Sequence, residues 1–387
     1  MLVHVSNTGT GKRNLGTRNK GGQLMVIAVA QHYQGTGCTV AVDDSFGTAK
    51  DRARIGVARV CFPEYGMIKA MTVKLRNQVR SYGGGYAATG RNLSLNAAGY
   101  AYGDGWGRDR IEALRRWNDK SHADRCPIVL LPQAFGPFEQ ADHGELFVDA
   151  VKHVALIYAR DRVSYGYLRE LMPNDVRIRL APDFTIPVNG QAPQQWIDSD
   201  TGDRLLIVPN RRMVDKLGAA AAAQYVTMLE GVAKSAPRIG LRPVFVIHSS
   251  EDDEIASQIM ALDGVLATSV TSACPVELKG ILAHGKVALA SRFHSVVSAL
   301  SGSTPTLVAG WSHKYAELLD DFGVPEFLLG NSVTSEDVIA RLRSEADSSR
   351  QAEVQTRLQR YHAELLNQTD QMWSAIDANI ELKQNAA

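Results

Sequence analysis

Arg292 and His294 stand out from an otherwise apolar stretch, VALASRFHSVVSALSGSTPTLVAG, residues 287–310. Val287 to Ala290 is long enough for a buried strand. After it the apolar residues fall at Val296, Val297 and Leu300, one face of a helix, and Gly302 stands where such a helix stops. Pro305 opens a second apolar run, Thr306 to Val308. Strand, turn, helix, strand is the order of a crossover between parallel strands. Arg292 and His294 therefore fall at the carboxyl end of a strand and the start of a helix. Open α/β sheets bind ligands there, and free N–H groups favour an anion there. Residues two apart in extended chain point the same way, so both can face one ligand. The same pair also fits a surface arginine and a core histidine satisfied by backbone.

Similar groups recur after other strand-like runs of the second half. Arg211 and Arg212 follow Leu205 to Val208, His248 follows Pro243 to Ile247, and His313 with Lys314 follow Thr306 to Val308. One parallel sheet would gather all of them on a single edge. Arginine grips a carboxylate or phosphate with paired hydrogen bonds, lysine adds a point charge, and histidine carries a proton near neutral pH. Such a cluster suits a small polyanion.

In the first half, the segment Asn14 to Gly22 is rich in glycine and precedes a helix-like run. Its Asn19, Gly21 and Gly22 can bring backbone N–H groups close to a phosphate or a sugar, although a tight strand-to-helix turn explains them equally well. Gln133 and Gly136 close another strand, and Asp183 a third. Arg160 with Asp161 reads as a local ion pair or helix cap. The loop from Tyr82 to Trp106, rich in aromatic residues and glycine, can stack on a sugar ring or serve as an interface. No GxSxG elbow, HExxH or paired acidic motif is present, so serine hydrolase and metallohydrolase chemistry is unsupported and no metal site is expected.

These groups need a frame, and strand-like and helix-like runs alternate through most of the chain. Strands are expected at Leu2–Val5, Val40–Val42, Ile128–Leu131, Ala155–Ala159 and Arg177–Leu180, with Pro132 to Pro137 as a loop. Asn189 to Asp203 is polar and reads as a linker. A second series follows, and from Thr334 onward the pattern is helical and charged. The expected architecture is α/β, with two Rossmann-like domains of parallel sheet facing each other across a cleft. Residues 1–190 form the N-terminal domain, 203–335 the C-terminal domain and 336–387 terminal helices.

With 42 basic and 41 acidic residues the net charge is +1, which gives no reason to expect nucleic acid or a membrane surface as the main partner. The N-terminus lacks a basic segment followed by a long apolar run, and no stretch is long and apolar enough to span a bilayer. The four cysteines form no CxxC pair. A cytoplasmic protein with free thiols is expected.

Several segments, in order, resemble the polysaccharide pyruvyl transferase family. They are Asn19-Lys20-Gly21-Gly22, LPQAFGPF at 131–138, YARDRVSYGYL at 158–168, APDF at 181–184, ELKGILAHGKVALASRFHSVVSAL at 277–300 and WSHKYAELLDDFG at 311–323. The resemblance implies a GT-B-like fold, phosphoenolpyruvate as donor, and a sugar or lipid-linked oligosaccharide as acceptor. It implies no further cofactor. The product would be a pyruvate ketal on a glycan or glycan precursor, with phosphate released. Arg292 and His294 carry over as catalytic donor-site residues, together with Arg211 or Arg212. His248, His313 and Lys314 join them as donor contacts, while Asn19, Gly21, Gly22, Gln133, Gly136 and Asp183 are expected on the acceptor side. Peripheral association with the inner membrane face through the acceptor fits the same picture. Two other readings share this architecture: a sugar-nucleotide glycosyltransferase, and a non-catalytic glycan-binding protein.

Overall fold

In a computed structural model, residues 1–6, 19–43, 46–61, 85–87, 91–199, 201–330 and 332–384 are described here. They fall into two compact units. One holds residues 22–184 with the strand at 2–6 and residues 367–384; the other holds 185–366 with 19–21.

The first unit is built on strands β1 (Leu2–Ser6), β2 (Thr39–Asp43), β3 (Ala58–Cys61), β4 (Gly85–Ala87), β5 (Leu93–Asn96), β6 (Tyr100–Tyr102), β7 (Ile128–Phe135), β8 (Leu156–Ala159) and β9 (Ile178–Leu180). Their order is β4-β3-β2-β1-β5-β7-β8-β9, with β6 beside β7, and the pairings are parallel. Strands β1, β5 and β7 are buried along their whole length. That is the signature of a parallel sheet covered on both faces.

Two loops expected from the sequence are strand instead. β5 lies within the Gly- and Asn-rich stretch, yet it pairs with both β1 and β7. Leu93 and Leu95 are buried on one face. On the other, Ser94 accepts a hydrogen bond from Trp117 Nε1 at 3.4 Å, and Asn96 donates to the Tyr102 hydroxyl at 3.0 Å. β7 runs past Pro132 as far as Phe135. Its register against β8 shifts between Leu130 and Gln133, and such an irregularity is where a central strand tolerates a proline.

The second unit contains β10 (Arg204–Val208), β11 (Arg242–Val246), β12 (Thr268–Val270), β13 (Val287–Ala290) and β14 (Thr306–Val308). The order β12-β11-β10-β13-β14 is wholly parallel. It is the doubly wound arrangement, with the chain reversing direction across the sheet between β10 and β13. The loops after these two strands therefore flank the switch point, where ligands bind in such sheets.

The polar segment expected as a linker packs with the second unit. It contains a short helix, Gln194–Asp198, whose Trp196 ring lies 3.8 Å under the Arg204 guanidinium. Gly190 sits directly against the backbone of Gly280. The terminal helix, Ser348–Gln384, contributes Val354, Leu358 and Leu365 to the core of the second unit. Further along, Trp373 stacks on His32 at 4.2 Å, and Asp377 accepts hydrogen bonds from Tyr33 and His32 at 3.0 Å within the first unit. Among the described residues no helix is long and apolar enough to cross a membrane.

Candidate functional site

The turn between β13 and the helix Phe293–Ser301 is held from three sides. The Ser291 carbonyl accepts from Asn210 Nδ2 at 2.6 Å and from the Tyr315 hydroxyl at 2.8 Å. Its side chain accepts from the Tyr225 hydroxyl at 3.0 Å. Tyr225 in turn accepts the Asn210 N–H at 3.1 Å, and Ser291 N–H bonds to Val208. All these groups are buried, so the bonds are expensive to break, and Arg292 and His294 are launched from a fixed point.

Arg292 is not a bare cation. Its Nε donates to Asp252 Oδ2 at 2.8 Å, and its Nη2 donates to Asp252 Oδ1 and to Glu251 Oε1, the latter at 2.8 Å. Burial would lower the guanidinium's affinity for its proton, but Asp252 and Glu251 more than reverse that. Burial pushes the Asp252 carboxyl up, and Arg292 resists the rise. Asp252 also accepts the Arg211 N–H at 2.9 Å.

The other two arginines are paired in the same way. Arg211 bonds Asp215 at 3.1 Å and Glu254 at 2.9 Å. Arg212 bonds Asp215 at 3.3 Å and lies 3.7 Å from Glu251. The result is one alternating chain of side chains, Glu254, Arg211, Asp215, Arg212, Glu251, Arg292, Asp252. Three guanidiniums face four carboxylates. The cations on this edge are expected from the sequence, whereas the acids come from the run Glu251-Asp252-Asp253-Glu254, which follows His248 after two serines.

His248 is buried beside this chain. Its Nδ1 has no hydrogen-bond partner among the described residues. Burial first, then the nearby Arg292, His294 and Lys20, hold its imidazole well below the usual histidine value. At neutral pH it is therefore an uncharged ring with an unused polar atom among cations.

Residues 19–21 belong to the same site rather than to the first unit. Asn19 bridges Ser249, the Lys20 N–H reaches the His248 carbonyl at 3.4 Å, and Lys20 Nζ donates to the Ala273 carbonyl at 3.2 Å. Gly21 lies flat against His294 and leaves no space for a side chain.

Lys314 turns toward aromatic faces, with Nζ 4.7 Å from the Trp311 ring, 5.5 Å from Tyr315 and 5.6 Å from Phe293. His313 precedes it, immediately before the helix Lys314–Asp321.

The remaining expected residues lie in the first unit. Gln133 is fully buried on β7. Its Nε2 donates to Asn96 Oδ1 and the Leu131 carbonyl, both at 3.3 Å, and its Oε1 makes no hydrogen bond among the described residues. Asn96, in a stretch expected as loop, is thus its polar neighbour on strand β5. Gly136 has φ 74°, packs under the Tyr167 ring, and gives its carbonyl to the Tyr100 hydroxyl at 2.8 Å. Asp183 forms a buried ion pair with Arg160 at 3.0 Å. Asp161 caps the helix Arg162–Leu171 by accepting the Ser164 N–H at 2.7 Å. Gly22 is buried near the start of the helix Lys20–His32.

A family model described as polysaccharide pyruvyl transferase matches residues 19–313. No curated protein matches the chain by sequence at a significant level. Solved structures match along nearly the whole length. HepE from Anabaena, crystallised with UDP and glucose, is 12% identical over 97% of this chain and 99% of that one, with a TM-score of 0.59. A glycosyltransferase from Rickettsia africae is 9% identical over 98% of each chain, with a TM-score of 0.58. A putative UDP-N-acetylglucosamine 2-epimerase from Listeria monocytogenes is 12% identical over 92% of this chain and 90% of that one, with a TM-score of 0.55. At such identities the likeness shows the fold alone. That fold is α/β and GT-B-like, with two parallel sheets.

Proposed function

Because the chain belongs to the polysaccharide pyruvyl transferase family, we propose that it transfers the pyruvyl group of phosphoenolpyruvate to a sugar, forming a ketal and releasing phosphate. The observation that carries this reading is the gathering of Arg292, His294, His248, Arg211 and Arg212 on one edge of the second sheet, at its switch point.

Phosphoenolpyruvate carries a carboxylate and a phosphate on a three-carbon frame. Arg292, whose Nη1 makes no hydrogen bond among the described residues, is placed to hold one of them, and Arg211 or Arg212 the other. His294 is the acid that protonates the methylene carbon. The electron pair of the C=C bond takes up that proton, and the adjacent carbon becomes oxocarbenium-like. One sugar hydroxyl adds there. A second hydroxyl then displaces phosphate and closes the ring. Of the two hydroxyl protons, one replaces the proton taken from the histidine and the other leaves with phosphate. His248, held neutral, offers the ligand a hydrogen bond without adding charge. Arg292 stabilises negative charge on the carboxylate or on the departing phosphate. On the acceptor side, the unused Gln133 Oε1 is suited to a sugar hydroxyl. The acceptor itself is a glycan or a lipid-linked precursor.

The test is phosphate release from phosphoenolpyruvate against a panel of glycosides, with NMR of the product for a ketal carbon. Arg292→Ala and His294→Ala should each lower turnover at least a hundredfold. Thermal stabilisation by a nucleotide sugar and not by phosphoenolpyruvate would replace this reading with glycosyl transfer.

A further inference from the structure

Glu251 touches two arginines at once. Its Oε1 accepts from Arg292 Nη2 at 2.8 Å, and its Oε2 lies 3.7 Å from Arg212 Nη2. Arg292 is one of the cations on which the donor's carboxylate and phosphate would settle, and Arg212 is one of the two candidates for the other. We propose that Glu251 is an internal stand-in for the ligand. Its carboxylate bridges Arg212 and Arg292 while the site is empty, and it moves out to solvent when a ligand brings two anionic groups of its own.

The carboxylates around it differ in a way that supports this role. The Asp252 side chain is 0% exposed and accepts hydrogen bonds from both Arg292 and the Arg211 backbone. Removing it from those partners would strand a buried charge, which is expensive. The Glu251 side chain is 40% exposed, and among the described residues its ion pairs are with these two guanidiniums. It can leave for water at little cost. When it does, Asp252 still orients Arg292 and Asp215 still holds Arg212. The site then goes from four carboxylates against three guanidiniums to three against three.

The consequence is selectivity. A ligand with one carboxylate only exchanges one carboxylate for another and gains almost nothing. A ligand with a carboxylate and a phosphate brings more charge than it displaces. Glu251 therefore sets a threshold that a phosphorylated acid passes and a simple keto acid does not. The identity of the ligand rests on the donor reading above; the competition between Glu251 and an anion does not.

The test is calorimetric titration of the full chain and of its Glu251→Gln and Glu251→Ala variants with phosphoenolpyruvate, pyruvate and inorganic phosphate. Both variants should bind phosphate and phosphoenolpyruvate about threefold to tenfold more tightly than wild type. Pyruvate should gain at least as much, so that discrimination narrows. In turnover, KM for the donor should fall without a rise in kcat. A residue that merely steadied Arg292 would give the opposite, weaker binding in both variants, and that result overturns the proposal. Equal phosphate affinity in wild type and variants also overturns it. If the variants tighten phosphate while phosphoenolpyruvate binds none of the proteins, the role of Glu251 stands and the donor reading falls. If phosphoenolpyruvate binds wild type and binds the variants no better, the donor reading stands and the proposal falls.

Discussion

Gly21 and His294 are in such close contact that only hydrogen fits at position 21: a Cβ there would overlap the imidazole Nδ1 and Cγ. The glycine is needed for this approach, since its backbone is helical and needs no special φ. Gly21→Ala should gain about 1 kcal/mol of helix propensity and lose about 1–3 kcal/mol to overpacking. The net change in urea unfolding should be a loss of about 0–2 kcal/mol. Phosphate release should fall at least tenfold, because the imidazole must turn aside. Near wild-type turnover in a folded Gly21→Ala protein would show that the position of His294 does not matter.

His248 gives stability a pH dependence of known sign. Burial, with Arg292, His294 and Lys20, keeps its folded-state value well below that of an unfolded histidine. The unfolded chain therefore takes up a proton first as pH falls. The contribution is complete above about pH 6.5 and is lost progressively as pH falls from there toward the folded-state value. The unfolding free energy should drop more between roughly pH 7.5 and 5.5 in wild type than in His248→Gln. His362 is depressed as well and titrates in the same direction, so the difference between the two proteins is the informative quantity.

Tyr225 should matter to the site although it faces no ligand. Tyr225→Phe removes the acceptor of the buried Asn210 N–H and one anchor of Ser291. An unsatisfied buried group costs about 1–3 kcal/mol. Equilibrium unfolding should show that loss. Donor KM should rise, because the turn carrying Arg292 is less well held.

Asp183 separates a packing role from a binding role. Breaking its buried pair with Arg160 by Asp183→Ala should cost about 3–5 kcal/mol. Replacing both partners, Arg160→Met with Asp183→Leu, should recover most of that stability. If turnover recovers along with stability, Asp183 acts through the fold. If stability returns and turnover does not, Asp183 or Arg160 contacts the acceptor.

Much of the second unit was legible in the sequence. Val287–Ala290, the helix stop at Gly302 and Thr306–Val308 follow directly from the apolar spacing. The shared edge of Arg211, His248 and Arg292 follows from parallel connectivity. The sequence does not reveal pairing. Glu251 and Asp252 come to Arg292 from forty residues away, and that juxtaposition depends on strand order, not on any local period. Asn19 and Gly21, expected on the acceptor side, lie beside Ser249 and His294, a placement that no local sequence pattern carries. β5 escaped because four residues of alternating Leu and polar type resemble a loop until Trp117 and Tyr102 are seen to satisfy the polar ones. Residues 7–18 and 62–84, including most of the glycine-rich stretch, lie outside the described residues.

The helix Ser348–Gln384 has a bearing on how the chain matures. Its residues from 367 onward count with the unit formed by 22–184, where Trp373 and Asp377 close over His32 and Tyr33. Chains emerge from the ribosome amino end first, and domains usually complete in that order. Here the order is inverted. The half that is translated earliest must wait, with part of its apolar surface uncovered, until the final turns of this helix have been synthesised.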